Sequence, residues 1–80
     1  MTINLYAIKD KINEFLPIQM LPNDQTAHRW FREMLENNPT MHLSPNDFEI
    51  YKLGTWDTVT GELTSKVEIV PYNTKGDMEK

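Results

Sequence analysis

An amphipathic helix between residues 24 and 36 constrains the fold of this chain more than any other feature. Its apolar side chains recur at helical spacing and form a single stripe: Ala27, Trp30, Phe31, Met34 and Leu35. Asn23 stands where its side chain can cap the first free backbone N–H groups. Pro39 ends the helix, because the residue before a proline avoids the helical conformation. A helix with one apolar face requires a second layer to cover it.

Extended segments on both sides of the helix predict that this second layer is a sheet. Residues 2–8 and 15–21 have strand character, and residues 48–56 and 62–70 read as two strands of a hairpin. Gly61, in the turn between them, suits a left-handed conformation. We therefore predict an α+β fold: a small antiparallel sheet of three to four strands with one amphipathic helix on one face.

The chain is long enough for one domain. We expect residues 1–70 to form it, with a loop at 37–47, and residues 71–80 to be a flexible tail because they lack periodicity. The chain has no cysteine, so disulfides and thiolate zinc sites cannot stabilise it. Small domains without such links often assemble, so we expect a homodimer or a higher homo-oligomer.

The apolar pattern indicates no membrane association. The N-terminal residues lack a basic region followed by a long apolar stretch, and no apolar run approaches the roughly 20 residues that a spanning helix needs. We expect a soluble cytoplasmic protein.

The hairpin register decides which side chains the helix covers. If the turn centres on Val59, Tyr51 pairs with Val67, and the helix is expected on this face: Tyr51, Leu53, Leu63, Val67 and Ile69. The opposite face then carries three large apolar side chains: Phe48, Ile50 and Trp56. Exposed, they would form an interface between copies of the chain or a surface on which bases stack. The alternative is that the N-terminal strand, the 37–47 loop or the tail covers them.

Charge gives a second candidate site. The formal net charge of −4 argues against a strong, non-specific nucleic-acid binder, which normally carries a basic surface. Four cations in the first half of the chain are the candidate nucleic-acid-binding residues: Lys9, Lys11, Arg29 and Arg32. The two arginines lie three residues apart on the helix, so they project together and can contact phosphates. In the alternative interpretation, each arginine pairs with the glutamate four residues later.

No pattern in the sequence indicates catalysis or a metal. Asp24 and His28 have helical i, i+4 spacing, but no third ligand is near in sequence. Ser44 and Ser65 lack the context of a nucleophile, and the glycines form no phosphate-binding loop. We expect no catalytic residues, no metal and no cofactor, and therefore a protein that is not an enzyme.

The order of short motifs carries a family resemblance. Asn-Leu-Tyr-Ala-Ile-Lys-Asp-Lys at residues 4–11 is followed by Asn23-Asp24 at the helix start and by Asn38-Pro39 after its end. The most specific piece runs from Asp47 to Gly61 and contains Tyr-x-x-Gly-x-aromatic-Asp followed by the hairpin glycine. Over roughly residues 1–65 the chain resembles the small non-structural protein of gokushoviruses, single-stranded DNA phages of the Microviridae.

This resemblance implies a function without catalytic residues. It implies a phage-encoded protein, made in the cytoplasm of the host bacterium and absent from the capsid. Such a protein would bind phage DNA, in single-stranded form, or the replication complex, and promote the switch from duplex replication to single-stranded genome synthesis and packaging. The alternative is a homo-oligomeric interaction module that engages a host or viral replication protein without contacting DNA.

Overall fold

The computed structural model describes residues 1–70. The predicted tail at 71–80 lies outside the described residues. The elements follow in this order: β1 (Thr2–Asp10), β2 (Gln19–Leu21), α1 (Asp24–Asn37), α2 (Pro39–Leu43), a 3-10 turn (Pro45–Asp47), β3 (Phe48–Asp57) and β4 (Leu63–Ile69). The four strands form one antiparallel sheet in the order β2-β1-β3-β4, and α1 packs on one face. The predicted α+β class is confirmed.

An asparagine side chain caps the start of each of the two helices. The Asn23 side chain accepts a hydrogen bond from the Thr26 N–H at 2.8 Å, as the capping prediction requires. Asn38 then ends α1 and caps α2, because its side chain accepts from the backbone N–H groups of Thr40 and Met41. The prediction of a plain loop at 37–47 is therefore wrong. A capping asparagine followed by a proline starts a helix as well as ending one.

The core lies between α1, α2 and one face of the sheet. It contains nine buried side chains: Tyr6, Ile8, Ala27, Phe31, Leu35, Met41, Phe48, Ile50 and Val70. Trp30 and Met34, also from the apolar stripe of α1, pack half-buried at its border. The stripe on α1 therefore faces the sheet, as its spacing predicts.

The predicted assignment of sheet faces is wrong at Phe48 and Ile50. These side chains are only 8% and 1% exposed, because they lie under the helical layer instead of on a free surface. Ile50 pairs with Ile8 of the central strand β1, which places both side chains in the core. Tyr51 pairs with Ile69 rather than with Val67, and both point away from α1.

A bulge at Gly54 explains why Trp56 does not follow Ile50 into the core. Tyr6 of β1 pairs with Lys52, but the next residue of β1, Leu5, pairs with Gly54. The extra residue in β3 reverses which face the following side chains occupy. Trp56 therefore lies on the face opposite α1, although it shares even numbering with Ile50.

Tyr6 connects the sheet to the start of α1. Its hydroxyl donates a hydrogen bond to Asp24 Oδ1 at 2.5 Å and accepts one from Asn4 Nδ2 at 3.2 Å. Burial raises the pKa of Tyr6 to about 12; the hydrogen bond and charge of Asp24 add to this effect, and the hydrogen bond from Asn4 opposes it. The folded protein thus favours the neutral phenol.

Replacing Tyr6 with phenylalanine should lower the free energy of unfolding by about 1–2 kcal/mol at neutral pH, because a hydrogen bond to a carboxylate is lost at a partly hydrated site. Because the pKa of Tyr6 is higher in the folded than in the unfolded state, its contribution is complete below pH 10 and is lost as the pH rises towards about 12. Urea unfolding at pH 8 and pH 11 measures this. The difference between parent and variant should shrink at pH 11; an unchanged difference would contradict the assignment.

Candidate functional site

The sheet face opposite α1, here called the open face, is a largely apolar surface. Residues that pair directly across strands share a face, and this rule identifies its apolar members: Ile3, Leu5, Ala7, Met20, Tyr51, Trp56, Leu63 and Ile69. Val67 joins them by alternation along β4. Leu63 is 68% exposed and Val67 58% exposed. No helix within residues 1–70 covers this face, but Ala7 is buried and Tyr51 and Trp56 are half-buried, so its most accessible apolar side chains lie on β4 and at Met20.

An aromatic pair with a lysine stands in the middle of the open face. Phe15 pairs with Lys9 in an isolated bridge beside β1, and its ring meets the ring of Tyr51 edge to face, with centroids 5.4 Å apart and planes at 77°. The Lys9 ammonium lies 4.9 Å from the centroid of the Phe15 ring, within cation–π range. With Trp56 further along β3, the open face thus presents three aromatic rings and a cation.

Tyr51 is held as a neutral hydrogen-bond donor. Its hydroxyl donates to Glu49 Oε1 at 3.4 Å. Desolvation, and then the charge and hydrogen bond of Glu49, raise the pKa of Tyr51 above its ordinary value. A phenol is uncharged at neutral pH even at its ordinary pKa, so the contact with Glu49 orients the hydroxyl and does not change the charge of the ring.

The predicted basic residues do not form one patch. Lys9 lies on the open face, whereas Arg29 and Arg32 lie on α1 in the opposite layer. The Lys11 ammonium is 3.9 Å from Glu49 Oε2. Within residues 1–70 the expected ion pair between Arg29 and Glu33 does not form. The structure thus separates one aromatic-associated cation from an arginine pair on the helix.

A groove on the helical side brings Lys11 and Arg32 together. Its volume is about 740 Å³, and its floor is formed by core side chains that include Phe31 and Val70. Two acidic residues, Glu36 and Glu49, line the same groove. Since both signs of charge alternate around it, the groove has no evident preference for anions.

A second depression, of about 360 Å³, lies at the start of α1 and brings Arg29 and Arg32 together with His28. Among residues 1–70, no three histidine, aspartate or glutamate side chains are grouped as a metal site would require. None of the helices there has the length and apolar character needed to cross a membrane.

Sequence reasoning missed Phe15 and Tyr51 as site residues, because it placed Tyr51 under the helix. One signal could have found them. An isolated glycine within a strand often marks a bulge, and a bulge at Gly54 puts Tyr51 and Trp56 on the same face despite their odd and even numbers. The prediction of Trp56 as an interface residue stays a prediction.

Comparison with known proteins identifies a phage family. A family model described as "Phage ORF5 protein" matches residues 3–73. No curated protein and no solved structure matches the chain significantly. The narrower resemblance to gokushoviruses, with the DNA-binding function it implies, stays a prediction. Because the match spans most of its length, the chain belongs to the phage ORF5 protein family.

Proposed function

We propose that this phage protein is a non-enzymatic accessory protein that binds single-stranded DNA on the open face of its sheet. The observation that supports the proposal is the group of Phe15, Tyr51 and Trp56 on the open face, with Lys9 over the Phe15 ring. The proposal moves the DNA site from the arginines of α1 to the sheet.

The chemistry of the open face favours unpaired bases. Bases of a single strand can stack on exposed aromatic side chains, and each stacked base contributes about 1–3 kcal/mol with little dependence on sequence. In a duplex the bases are stacked on each other and present only their edges. An aromatic sheet face therefore selects single strands over duplex.

The acidic net charge predicts that the affinity for DNA depends only weakly on salt. A chain of charge −4 attracts the phosphate backbone weakly, and Lys9 is the cation that lies over an aromatic ring of the open face. For single strands, the slope of log K against log salt is about −0.7 for each phosphate neutralised. We therefore expect a shallow salt dependence, near the value for one contact, instead of the steep one that a basic groove gives.

A protein of this kind would act after single strands have formed. By covering the displaced genome strand it would prevent conversion of that strand to duplex, and so favour genome synthesis and packaging in the cytoplasm of the infected bacterium. This role agrees with the resemblance to gokushoviruses and requires no catalytic residue.

The direct test is titration of the full chain with a fluorescent single-stranded oligonucleotide at low salt. Tyr51→Ala and Trp56→Ala should each weaken binding by about 5- to 150-fold, because each removes a stacked base contact. Leu43→Ala, at a site 82% exposed on α2, is the control and should bind like the parent. Lys9→Ala should flatten the salt dependence by about 0.7 in slope.

A double variant of the arginines on α1 tests the alternative position of the DNA site. Under the proposal, replacing Arg29 and Arg32 together by alanine leaves affinity nearly unchanged, since both lie in the other layer. A large loss in this double variant, with Tyr51→Ala and Trp56→Ala unaffected, would place the DNA site on the helix. Absence of binding at low salt would overturn the proposal.

The aliphatic half of the open face favours a second candidate function. Leu63, Val67 and Ile69 are exposed and offer no ring for stacking. We propose as the alternative an interaction module that engages a host or viral replication protein through this surface, without DNA contact. Under this alternative, Val67→Glu abolishes partner binding, while the oligonucleotide titration shows no complex with the parent.

A further inference from the structure

Strand β4 leaves its outer hydrogen-bonding edge unpaired within the described chain. It lies at the outside of the sheet, and all seven of its residues are exposed. The Val70 N–H donates to the Ile50 carbonyl at 3.0 Å, and the Asp57 N–H donates to the Glu62 carbonyl at 2.9 Å. The even-numbered residues of β4 therefore direct their backbone groups to β3. The odd-numbered ones direct theirs outwards: Leu63, Ser65, Val67 and Ile69.

Such an edge is a template for another strand. Native proteins usually shorten an exposed edge or block it with a proline, a bulge or a lysine. β4 contains no proline, but its pairing with β3 shifts register between Ser65 and Glu68. Ser65 and Ile69, on the two sides of this shift, still lie on the same face, so the alternation along β4 continues across it. The central charge of β4, Lys66, is followed two residues later by Glu68. A lysine opposes pairing with a second copy of the same strand unless an acid lies opposite it.

We propose that β4 pairs antiparallel with β4 of a second copy of this chain, around a two-fold axis at Val67. The charges of β4 and the direction of its backbone groups both favour a second copy of the same strand as its partner. In this register, Val67 faces Val67 of the partner subunit, and Ser65 faces Ile69 of the partner subunit. Both pairs use outward-directed residues, so each exchanges its two N–H···O bonds.

The charges select this register over its neighbours. With the axis at Val67, Lys66 lies opposite Glu68 of the partner subunit, and the symmetry creates the same pair twice. These positions are non-hydrogen-bonded pairs, in which side chains approach most closely. Moving the axis to Lys66 or to Glu68 sets like charges opposite each other, and moving it to Ser65 sets Lys66 opposite Thr64. The axis at Val67 is thus the position among these that pairs opposite charges.

The dimer joins the two four-stranded sheets into one continuous sheet. Because paired residues share a face, both open faces lie on the same side, and their aliphatic side chains meet at the two-fold axis. The inference does not depend on DNA binding, since it uses the edge of β4 and not the aromatic rings.

The first experiment measures the dimer dissociation constant of the full chain by sedimentation velocity over a range of concentrations. Lys66→Glu should raise Kd at least 10-fold, because it sets glutamate opposite glutamate at two places. Glu68→Lys should do the same with lysines, and the double variant K66E/E68K should restore the parent Kd. Arg29→Glu, an equal charge change on α1, is the control and should leave Kd unchanged.

Mixing the two single variants gives a sharper result. A K66E subunit and an E68K subunit together restore opposite charges at both places, so the mixture should dimerise more tightly than either variant alone. Circular dichroism of each variant checks that the fold is retained, which matters for E68K because Lys52 pairs with position 68 inside the chain.

The second experiment uses the absence of cysteine from the chain. Residues in a hydrogen-bonded antiparallel pair have Cα atoms about 5.5 Å apart, within the roughly 4.4–6.8 Å that a disulfide spans. Val67→Cys should therefore form a disulfide-linked dimer under mild oxidation. Val59→Cys, at a turn position 82% exposed, is the matched control and should stay largely unlinked.

The possible results separately test the dimer, its interface on β4 and the register of the pairing. A parent chain that stays monomeric at high concentration overturns the dimer. A dimer whose Kd does not respond to K66E overturns the β4 interface, and a failure of K66E/E68K to restore the parent Kd overturns the register.

Discussion

Gly54→Ala is expected to separate β4 from β3 and to lower the free energy of unfolding by about 3 kcal/mol or more. Gly54 has a φ of +144°, a backbone conformation that residues with a side chain rarely adopt. An added Cβ would also overlap the backbone carbonyl of Thr64 on the neighbouring strand. That carbonyl belongs to the backbone of the sheet, so the clash is relieved only when the strands move apart.

Gly61→Ala is the matched control. Gly61 also has a positive φ, +78°, but nothing lies within 4 Å of the position of an added Cβ. We expect the left-handed conformation alone to cost about 1–2 kcal/mol. Urea unfolding measures the loss of stability in both variants. Both losses include the cost of the positive φ, and only the loss at Gly54 also includes the overlap with the Thr64 carbonyl. Equal losses in the two variants would contradict the close approach at Gly54.

The bulge at Gly54 also shows which part of the fold the sequence does not predict, namely the face that β3 turns to the helix. The helix, its cap at Asn23 and the turn ending at Gly61 follow from patterns within a few residues, and these local signals were sufficient. The face that β3 turns to the helix is decided by pairing with β1, and the paired residues Ile8 and Ile50 lie far apart in the chain. Apolar residues occur on both faces of β3, so hydrophobicity alone does not choose between them.

The candidate site was only partly predictable for the same reason. The charge of Lys9 identifies it as a candidate, but its position beside Phe15 depends on an isolated bridge across the short turn between them, which no sequence pattern indicates. In the sequence, the arginines on α1 share with Lys9 only their positive charge. Their separation into two layers follows from the alternation of β1, since Ile8 points into the core and Lys9 therefore points away from it.

A pair of isoleucine variants gives the most direct test of the face assignment. Ile50→Ala should lower the free energy of unfolding by about 2–5 kcal/mol, because it opens a cavity at a core position that is 1% exposed. Ile69→Ala makes the same chemical change on β4, where the side chain is 49% exposed on the open face. Its cost should be about 1 kcal/mol or less, since little buried surface is lost.

The two variants separate the observed register from the one that the sequence suggested. With the hairpin centred on Val59, Ile69 would lie under the helix and Ile50 would be exposed, so the larger loss would occur at Ile69. With the observed pairing of Ile50 to Ile8 and of Ile69 to Tyr51, the larger loss occurs at Ile50. Urea unfolding at a protein concentration well below the dimer Kd keeps subunit contacts out of the comparison, because β4 is also the proposed interface. A larger loss at Ile69 under these conditions would reverse the faces of the sheet and remove Tyr51 from the open face.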